Sequence, residues 1–366
     1  MTGRERFMAA IHNQKPDHLP CQVHNWMDSY LESYMSGMDV WAAYEAVGMD
    51  PVIYVEPARI YSDADWANWQ WKRTDLGVDK EGVSRWRIDV ETPGGMLWEE
   101  FAANPFTQWV TKHMIEGERE FDLWDRYSPL PRKLEWAPVL AAKERLGDRG
   151  IVRSGCFDFG QGSPWQSFAS MYGTVECIMD AVDKPDWMHH VLGRLLEKKL
   201  SVIERSGRVH LDVVELGGGA GSSTVISPAM HREFCLPYDQ KQNQLFHSLG
   251  AKTVYHLCGG LMPLLEIVVE NGSDGLETMT PASMGGDCDL AEATRRVGDK
   301  LFFTGGFDQN EGFEKGTPEA VRRQVFALHE ACPDGGYICC PSDHFFFGDI
   351  ENVKAFVDAA KECVYK

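Results

Sequence analysis

The feature that most constrains this chain is an alternation. Eight short apolar runs recur along its 366 residues, separated by longer stretches that are mostly amphipathic. The runs lie at 20–24 (PCQVH), 52–56 (VIYVE), 151–157 (IVRSGCF), 211–216 (LDVVEL), 252–258 (KTVYHLC), 275–279 (GLETM), 301–305 (LFFTG) and 336–341 (GYICCP). Short apolar runs suit strands buried on both faces, and amphipathic stretches suit the helices that cover them. Eight such units predict an α/β fold, a single TIM-like (β/α)8 barrel over 1–366 in one domain, with its chemistry at the C-terminal ends of the strands.

Two helical segments carry their own end signals. The stretch 228–250 has Ser227 as N-cap, Pro228 at the first helical position and Gly250 as terminator. The stretch 317–332 has Thr317 as N-cap followed by Pro318, with Ala320 where a capping box would want Glu or Gln. The segment 80–115 breaks the alternation. Its Pro93-Gly94-Gly95 predicts the turn of an inserted β-hairpin over the barrel mouth, and 107–114 can extend it. An open doubly wound sheet would need a phosphate loop after its first strand. None is present, and Gly217-Gly218-Gly219-Ala220-Gly221 does not open directly into a helix. That run reads instead as a flexible loop beside the site, ordering when substrate binds.

Composition narrows the function classes. Lys and Arg total 36 against 55 Asp and Glu, a net charge of −19, with no basic patch to counter it. Nucleic acid and anionic membrane surfaces are therefore not expected partners. No run approaches the ~18 apolar residues of a membrane span. The N-terminus lacks the apolar core of a signal peptide, so the expectation is a cytoplasmic protein. Ten cysteines in a chain of this kind read as buried residues, with some as metal ligands, rather than as a disulfide framework.

The sharpest local signal is Tyr255-His256-Leu257-Cys258-Gly259-Gly260. Residues i and i+2 of a strand share a face, so His256 and Cys258 project together at the end of the fifth run. An imidazole and a thiolate side by side suit zinc; the alternative is two packed core residues. The last run and its exit loop add Cys339, Cys340 and His344. Cys339 and Cys340 face opposite ways on a regular strand, so at most one joins the site, and a bulge leaves open which. Carboxylates at strand ends supply a general base, a ligand or a partner for a zinc-bound histidine. The candidates are Asp158, Asp212, Glu215, Glu277 and Asp308. Glu215 and Glu277 are preferred as catalytic groups because they lie inside apolar strands. His344 is a further catalytic candidate.

Trp66, Trp69 and Trp71 cluster with Tyr61 near the second run, and Trp26 follows His24 and Asn25 at the end of the first. They read as packing under the hairpin, or as an aromatic-lined pocket for an apolar or aromatic substrate. His189, His190, His231 and His247 fall in helical segments and read as surface or structural residues.

Several longer stretches give the chain a family likeness: TPGGML (92–97), VISPAMHREFCLPYDQK (225–241), GAKTVYHLCGG (250–260), NGSDGLE (271–277), LFFTGGFDQ (301–309) and ENVKAFVDAA (351–360). Together they resemble the uroporphyrinogen decarboxylase family in its broad sense. That family also contains the zinc-dependent methylcobalamin:coenzyme M methyltransferases and related corrinoid-linked demethylases. The resemblance implies the family's distorted barrel.

The branches differ after the first strand. The decarboxylases carry paired arginines and a Gln-Ala-Gly there, which bind the carboxylates of a tetrapyrrole. Here the place reads Cys21-Gln22-Val23-His24-Asn25-Trp26-Met27-Asp28, without an arginine. A poly-anionic substrate would lack its counter-charges. The methyltransferase branch is similar in its H-x-C and a distant third ligand in the loop after the last strand. His256 and Cys258 match that pattern. Glu351 of the following Glu-Asn pair is eleven residues beyond Cys340 and seven beyond His344, so Cys339, Cys340 or His344 takes the third place.

The resemblance thus implies a zinc-dependent methyltransferase, with the cobalamin supplied by a partner corrinoid protein. It moves a methyl group to or from a small methylated or methoxylated compound, or to a thiol. A homodimer is compatible with it. The alternatives are a uroporphyrinogen decarboxylase-type carboxy-lyase without metal, and a non-catalytic partner-binding barrel.

Overall fold

The computed structural model describes residues 1–160 and 162–366. Seven of the eight predicted runs form strands of one curled parallel sheet, paired in chain order: Val52–Tyr54, Ile151–Ser154, Val213–Gly217, Lys252–His256, Gly275–Thr278, Phe302–Phe307 and Tyr337–Pro341. The first run makes only an isolated parallel bridge, Cys21 to Cys339. Gln22 N–H donates to the Cys339 carbonyl, and Cys339 N–H to that of Pro20, both at 2.9 Å. The segment thereby occupies the eighth position, and helices cover the outside of the sheet in the manner of a TIM-like barrel.

The lower interior is a dry layer. Val52, Ile151, Val213, Val254, Phe302 and Ile338 pack together there with Phe7, Ala10 and Ile11 of the helix Gly3–Ile11. That helix plugs the N-terminal end of the barrel. Gly275 belongs to the same level, where a Cβ would lie 2.4 Å from the Phe302 ring, so only glycine leaves room for that ring. Because side chains alternate along a strand, the residues two places further on turn inward one level higher. These are Tyr54, Arg153, Glu215, His256, Glu277, Thr304 and Cys340, and they form the floor of an open bowl.

Ser227 and Thr317 cap their helices as expected: Met230 N–H donates to Ser227 Oγ at 3.2 Å and Ala320 N–H to Thr317 Oγ1 at 3.4 Å. The single helix expected over 228–250 is instead two, Pro228–Phe234 and Leu236–Ser248, broken at Cys235. Pro237 explains the break, since it lacks an N–H and crowds the carbonyl four residues earlier.

The segment expected as a hairpin within 80–115 lies in a larger insertion, in which Ser84–Thr92 and Gly95–Ala103 pair antiparallel across the Pro93-Gly94 turn. The insertion is a four-stranded antiparallel sheet of Gln70–Val78, Ser84–Thr92, Gly95–Ala103 and Gln108–Lys112. Phe106, in its last turn, touches Phe346 and Phe347 of the loop after the final barrel strand, with ring centroids 5.3 Å apart in each pair. Among the described residues no helix is long and apolar enough to cross a membrane.

Candidate metal and active site

Three strands converge on the His256 imidazole. Its Nδ1 lies 3.0 Å from Glu277 Oε1 and 3.5 Å from Glu215 Oε1. Its Nε2 lies 2.7 Å from Cys258 Sγ. The pairing register sets this up, because His256 is directly opposite Glu277 on the neighbouring strand. Beside them, Arg153 Nη2 donates to Glu277 Oε2 at 2.8 Å and to Glu215 Oε2 at 3.0 Å. The Arg153 guanidinium also stacks over the Tyr54 ring, 4.9 Å from its centroid.

The charges in this layer act on one another. Burial opposes ionisation of Glu277, but the Arg153 charge and the His256 bond hold its carboxyl well below the usual range. Burial and the neighbouring Glu277 charge push Glu215 up to about 7. Burial disfavours a charged His256, yet Glu215, Cys258 and Glu277 raise it well above an ordinary imidazole. The carboxylates and the thiol therefore draw positive charge to this ring, a place that either a proton or a metal ion can fill.

Cys258 stands just past its strand and is half-buried. The turn that follows is held by the glycine-rich loop. Gly259 has φ +101° and a Cβ there would lie 2.5 Å from Thr224 Oγ1, so the close approach requires glycine. Gly218 N–H donates to the His256 carbonyl and Ser223 N–H to the Gly260 carbonyl, both at 2.8 Å. The glycine-rich loop is thus tied to the strand end by backbone hydrogen bonds. Backbone strain marks the adjacent strand end, where Thr278 has φ +77° and Met279 φ +43°. A β-branched residue seldom adopts this region, and such outliers gather at functional sites.

The last strand is regular in register through Pro341, so the ambiguity between its cysteines disappears. Cys340 turns toward the bowl and accepts from Gln22 Nε2 at 3.7 Å. Cys339 turns outward into the main apolar core, so the bid of Cys339 as a ligand fails on strand parity. Sulfur does not complete the cluster directly. Among the described residues, the one trio whose ligand atoms all lie within 4.8 Å of one another is Glu215, His256 and Glu277. The expected set of His256, Cys258, Cys339 and Cys340 does not converge at that distance.

His344 does approach the bowl. Its ring lies 4.8 Å from that of His24, whose ring is 5.6 Å from that of His256. Burial lowers both His24, to about 3, and His344, keeping their imidazoles neutral. Sequence reasoning passed over His24 and Arg153 as site residues. His24 ends the first apolar run, which was the available signal; Arg153 lies inside an apolar strand as Glu215 and Glu277 do.

The remaining carboxylate candidates work elsewhere. Asp158 pairs with Lys199 at 2.9 Å, both side chains wholly buried. Asp308 accepts from Ser283 Oγ at 2.6 Å and from Glu311 N–H at 3.0 Å, a loop-capping role. Asp212 precedes its strand and accepts from Val152 N–H at 2.9 Å and from Arg4, at the plugged end. Trp66 packs on Tyr61, while Trp69 and Trp71 line a cavity under the inserted sheet.

Zinc is the ion that this donor set has to suit. Two placements offer themselves, on either side of the His256 ring. The Nδ1 side holds Glu215 and Glu277, but both carboxylates already bond to Arg153, and a second cation would sit against the guanidinium. The Nε2 side holds Cys258 and faces no cation. A ring with Nδ1 on a carboxylate and Nε2 directed to the metal is the usual arrangement of a zinc-bound histidine. His344 Nδ1 is buried without a hydrogen-bond partner, as are Tyr54 Oη and Arg153 Nε. His256 Nε2 and Cys258 Sγ are a nitrogen and a sulfur donor whose chemistry fits a divalent ion such as zinc.

Comparison with known proteins gives the setting. The family model described as "Uroporphyrinogen decarboxylase (URO-D)" matches residues 159–363. A protein named uroporphyrinogen decarboxylase from Xanthomonas euvesicatoria is 28% identical over 180 residues, 45% of this chain and 46% of that protein. One of the same name from Pseudomonas putida is 29% identical over 189 residues, 50% of each. The chain thus spans about half the length of the curated relatives it matches. A solved structure titled "methyltransferase from Methanosarcina mazei" superposes over 99% of both chains, with a TM-score of 0.67 and 16% identity. At that identity the likeness is one of fold.

Proposed function

The chain belongs to the uroporphyrinogen decarboxylase family, and from that premise we propose that it is a zinc-dependent methyltransferase. It moves a methyl group between a small methylated or methoxylated compound and the cobalamin of a separate corrinoid protein. The observation that carries this reading is His256, fixed by Glu277 on one nitrogen and presented to Cys258 on the other. An imidazole and a thiolate are the ligands zinc prefers. When bound, zinc supplies Lewis acidity to a methylated heteroatom, or lowers the pKa of an acceptor thiol.

The chain's own residues supply the rest. Glu277 holds the His256 ring in orientation and keeps its proton on Nδ1. Arg153 holds Glu277 and Glu215 in place with a hydrogen bond to each and offsets part of their charge. Glu215, at a pKa of about 7, can give or accept a proton near neutrality. His24, beside the His256 ring, and His344, beside His24, present neutral nitrogens to the bowl.

A second reading is a carboxy-lyase acting on a tetrapyrrole, favoured by the names of the curated relatives. The residues following the first run offer no arginine to a poly-anionic substrate, and Arg153 is engaged by two carboxylates. Elemental analysis with methyl-transfer assay separates the readings. Stoichiometric zinc, lost together with methyl transfer in His256→Ala and Cys258→Ala, is expected. A protein that binds no zinc and releases carbon dioxide from a tetrapyrrole establishes the second reading instead. Binding of a corrinoid protein without turnover of any methyl donor would mark a non-catalytic barrel.

A further inference from the structure

A cavity of about 400 Å3 lies beneath the inserted antiparallel sheet. Three indoles line it, from Trp69, Trp71 and Trp124, together with Met114, Met171 and the carboxyl of Glu99. Strand register explains the grouping. Trp71 stands opposite Val90, and Ile88 opposite Glu99, so these residues share the inward face. Glu99 is the anomaly on that face. Among the described residues it has no hydrogen bond and no ion pair.

The nearby cations are already engaged: Lys198 sits 5.1 Å from the centroid of the Trp124 ring and pairs with Asp125 at 3.6 Å. Lys112 pairs with Glu116 at 3.3 Å, donates to the Trp98 carbonyl at 3.0 Å and sits 4.2 Å above the Trp98 ring. Arg73, on the cavity face, pairs with Asp75 at 3.0 Å and stacks on Trp86. Burial, only partly offset by the Lys112 charge, pushes the Glu99 carboxyl up to about 7. A half-buried carboxyl with no cation bonded to it is poorly compensated. A ligand that restores its counter-charge while burying apolar surface supplies that compensation. Indole faces attract cations, and methionine sulfur adapts to irregular apolar shapes. The volume suits a small molecule.

We propose that this cavity binds a small alkylammonium ion, with its charge against Glu99 and its alkyl groups against Trp69, Trp71 and Trp124. The cavity shares no lining residue with the His256 cluster. Its occupancy therefore does not depend on the zinc reading.

Calorimetric titration of the full chain tests this, with choline as probe and its neutral carbon isostere, dimethylbutanol, as control. Choline is expected to saturate one site and to bind at least about tenfold more tightly than the isostere. Glu99→Gln is expected to lower choline affinity by about tenfold or more while leaving the isostere unchanged. Trp71→Ala, at a residue that is 58% exposed, is expected to weaken choline as well. Equal affinity for choline and the isostere overturns the proposal, as does no choline binding up to about 100 mM. Choline affinity unchanged in a folded Glu99→Gln protein overturns it too. Should circular dichroism show that variant unfolded, the isostere comparison and Trp71→Ala decide the matter.

Discussion

Arg153 and Glu277 form an ion pair 2.8 Å apart in which the side chains keep only 4% and 1% of their exposure. Glu215 closes the triad at 3.0 Å from the same guanidinium nitrogen. A buried cation between two acids does little by itself for stability. Its consequence is positional, because Glu277 held on one oxygen can offer the other only to His256.

Arg153→Met should therefore be costly. It leaves Glu277 and Glu215 buried, adjacent and without their counter-charge. Loss of about 3–5 kcal/mol in urea unfolding is expected. Any protein that still folds should hold zinc less tightly, since its histidine ring is no longer fixed. Near wild-type stability would show that the triad is better hydrated than its burial implies.

The two adjacent cysteines should separate cleanly. Cys340→Ser alters the bowl and should lower zinc stoichiometry or affinity. Cys339→Ser places a hydroxyl in the apolar core, costing about 1–3 kcal/mol with zinc content unchanged. Parallel thermal melts and elemental analysis read both effects. The reverse pattern would sink the inward assignment of Cys340.

Lys199 and Asp158 are a second buried pair, both side chains fully withdrawn from solvent. Lys199→Met strands the Asp158 carboxylate and should cost about 3–5 kcal/mol. Adding Asp158→Asn should recover part of that loss, because the buried charge is gone. A double-mutant cycle in urea measures the coupling; additive losses would contradict it.

Acid sensitivity should trace in part to Asp212. Burial pushes its carboxyl up, but bonds from Arg4 and Val152 N–H and the Lys143 charge outweigh this and hold it below the usual range. Its stabilisation is complete above the unfolded value of about 3.9 and disappears as pH falls through the lower folded value. Asp212→Asn should then cost about 1–3 kcal/mol at neutral pH, with the gap to wild type closing below about pH 4. A gap independent of pH, in denaturant melts from neutral pH to about pH 3, rules the assignment out.

Much of the site was local in origin and therefore legible. The apolar runs located seven parallel strands, and the i, i+2 rule brought His256 and Cys258 together before any contact was known. Glu215 and Glu277 stood out because acids inside buried strands need a reason. What could not be read is what depends on neighbours distant in the chain. Strand pairing set Glu277 beside His256 and drew Arg153 against Glu277. The regular pairing of the last strand chose Cys340 over Cys339. The end of the barrel on which Asp212 lies turned a catalytic candidate into a structural clamp. His24 joined the site only because the eighth segment docks against the last strand. Alternation along a strand belongs to each residue and its near neighbours, so the sequence determined it. Convergence across strands follows from register and curl, which arise only when the whole sheet is packed.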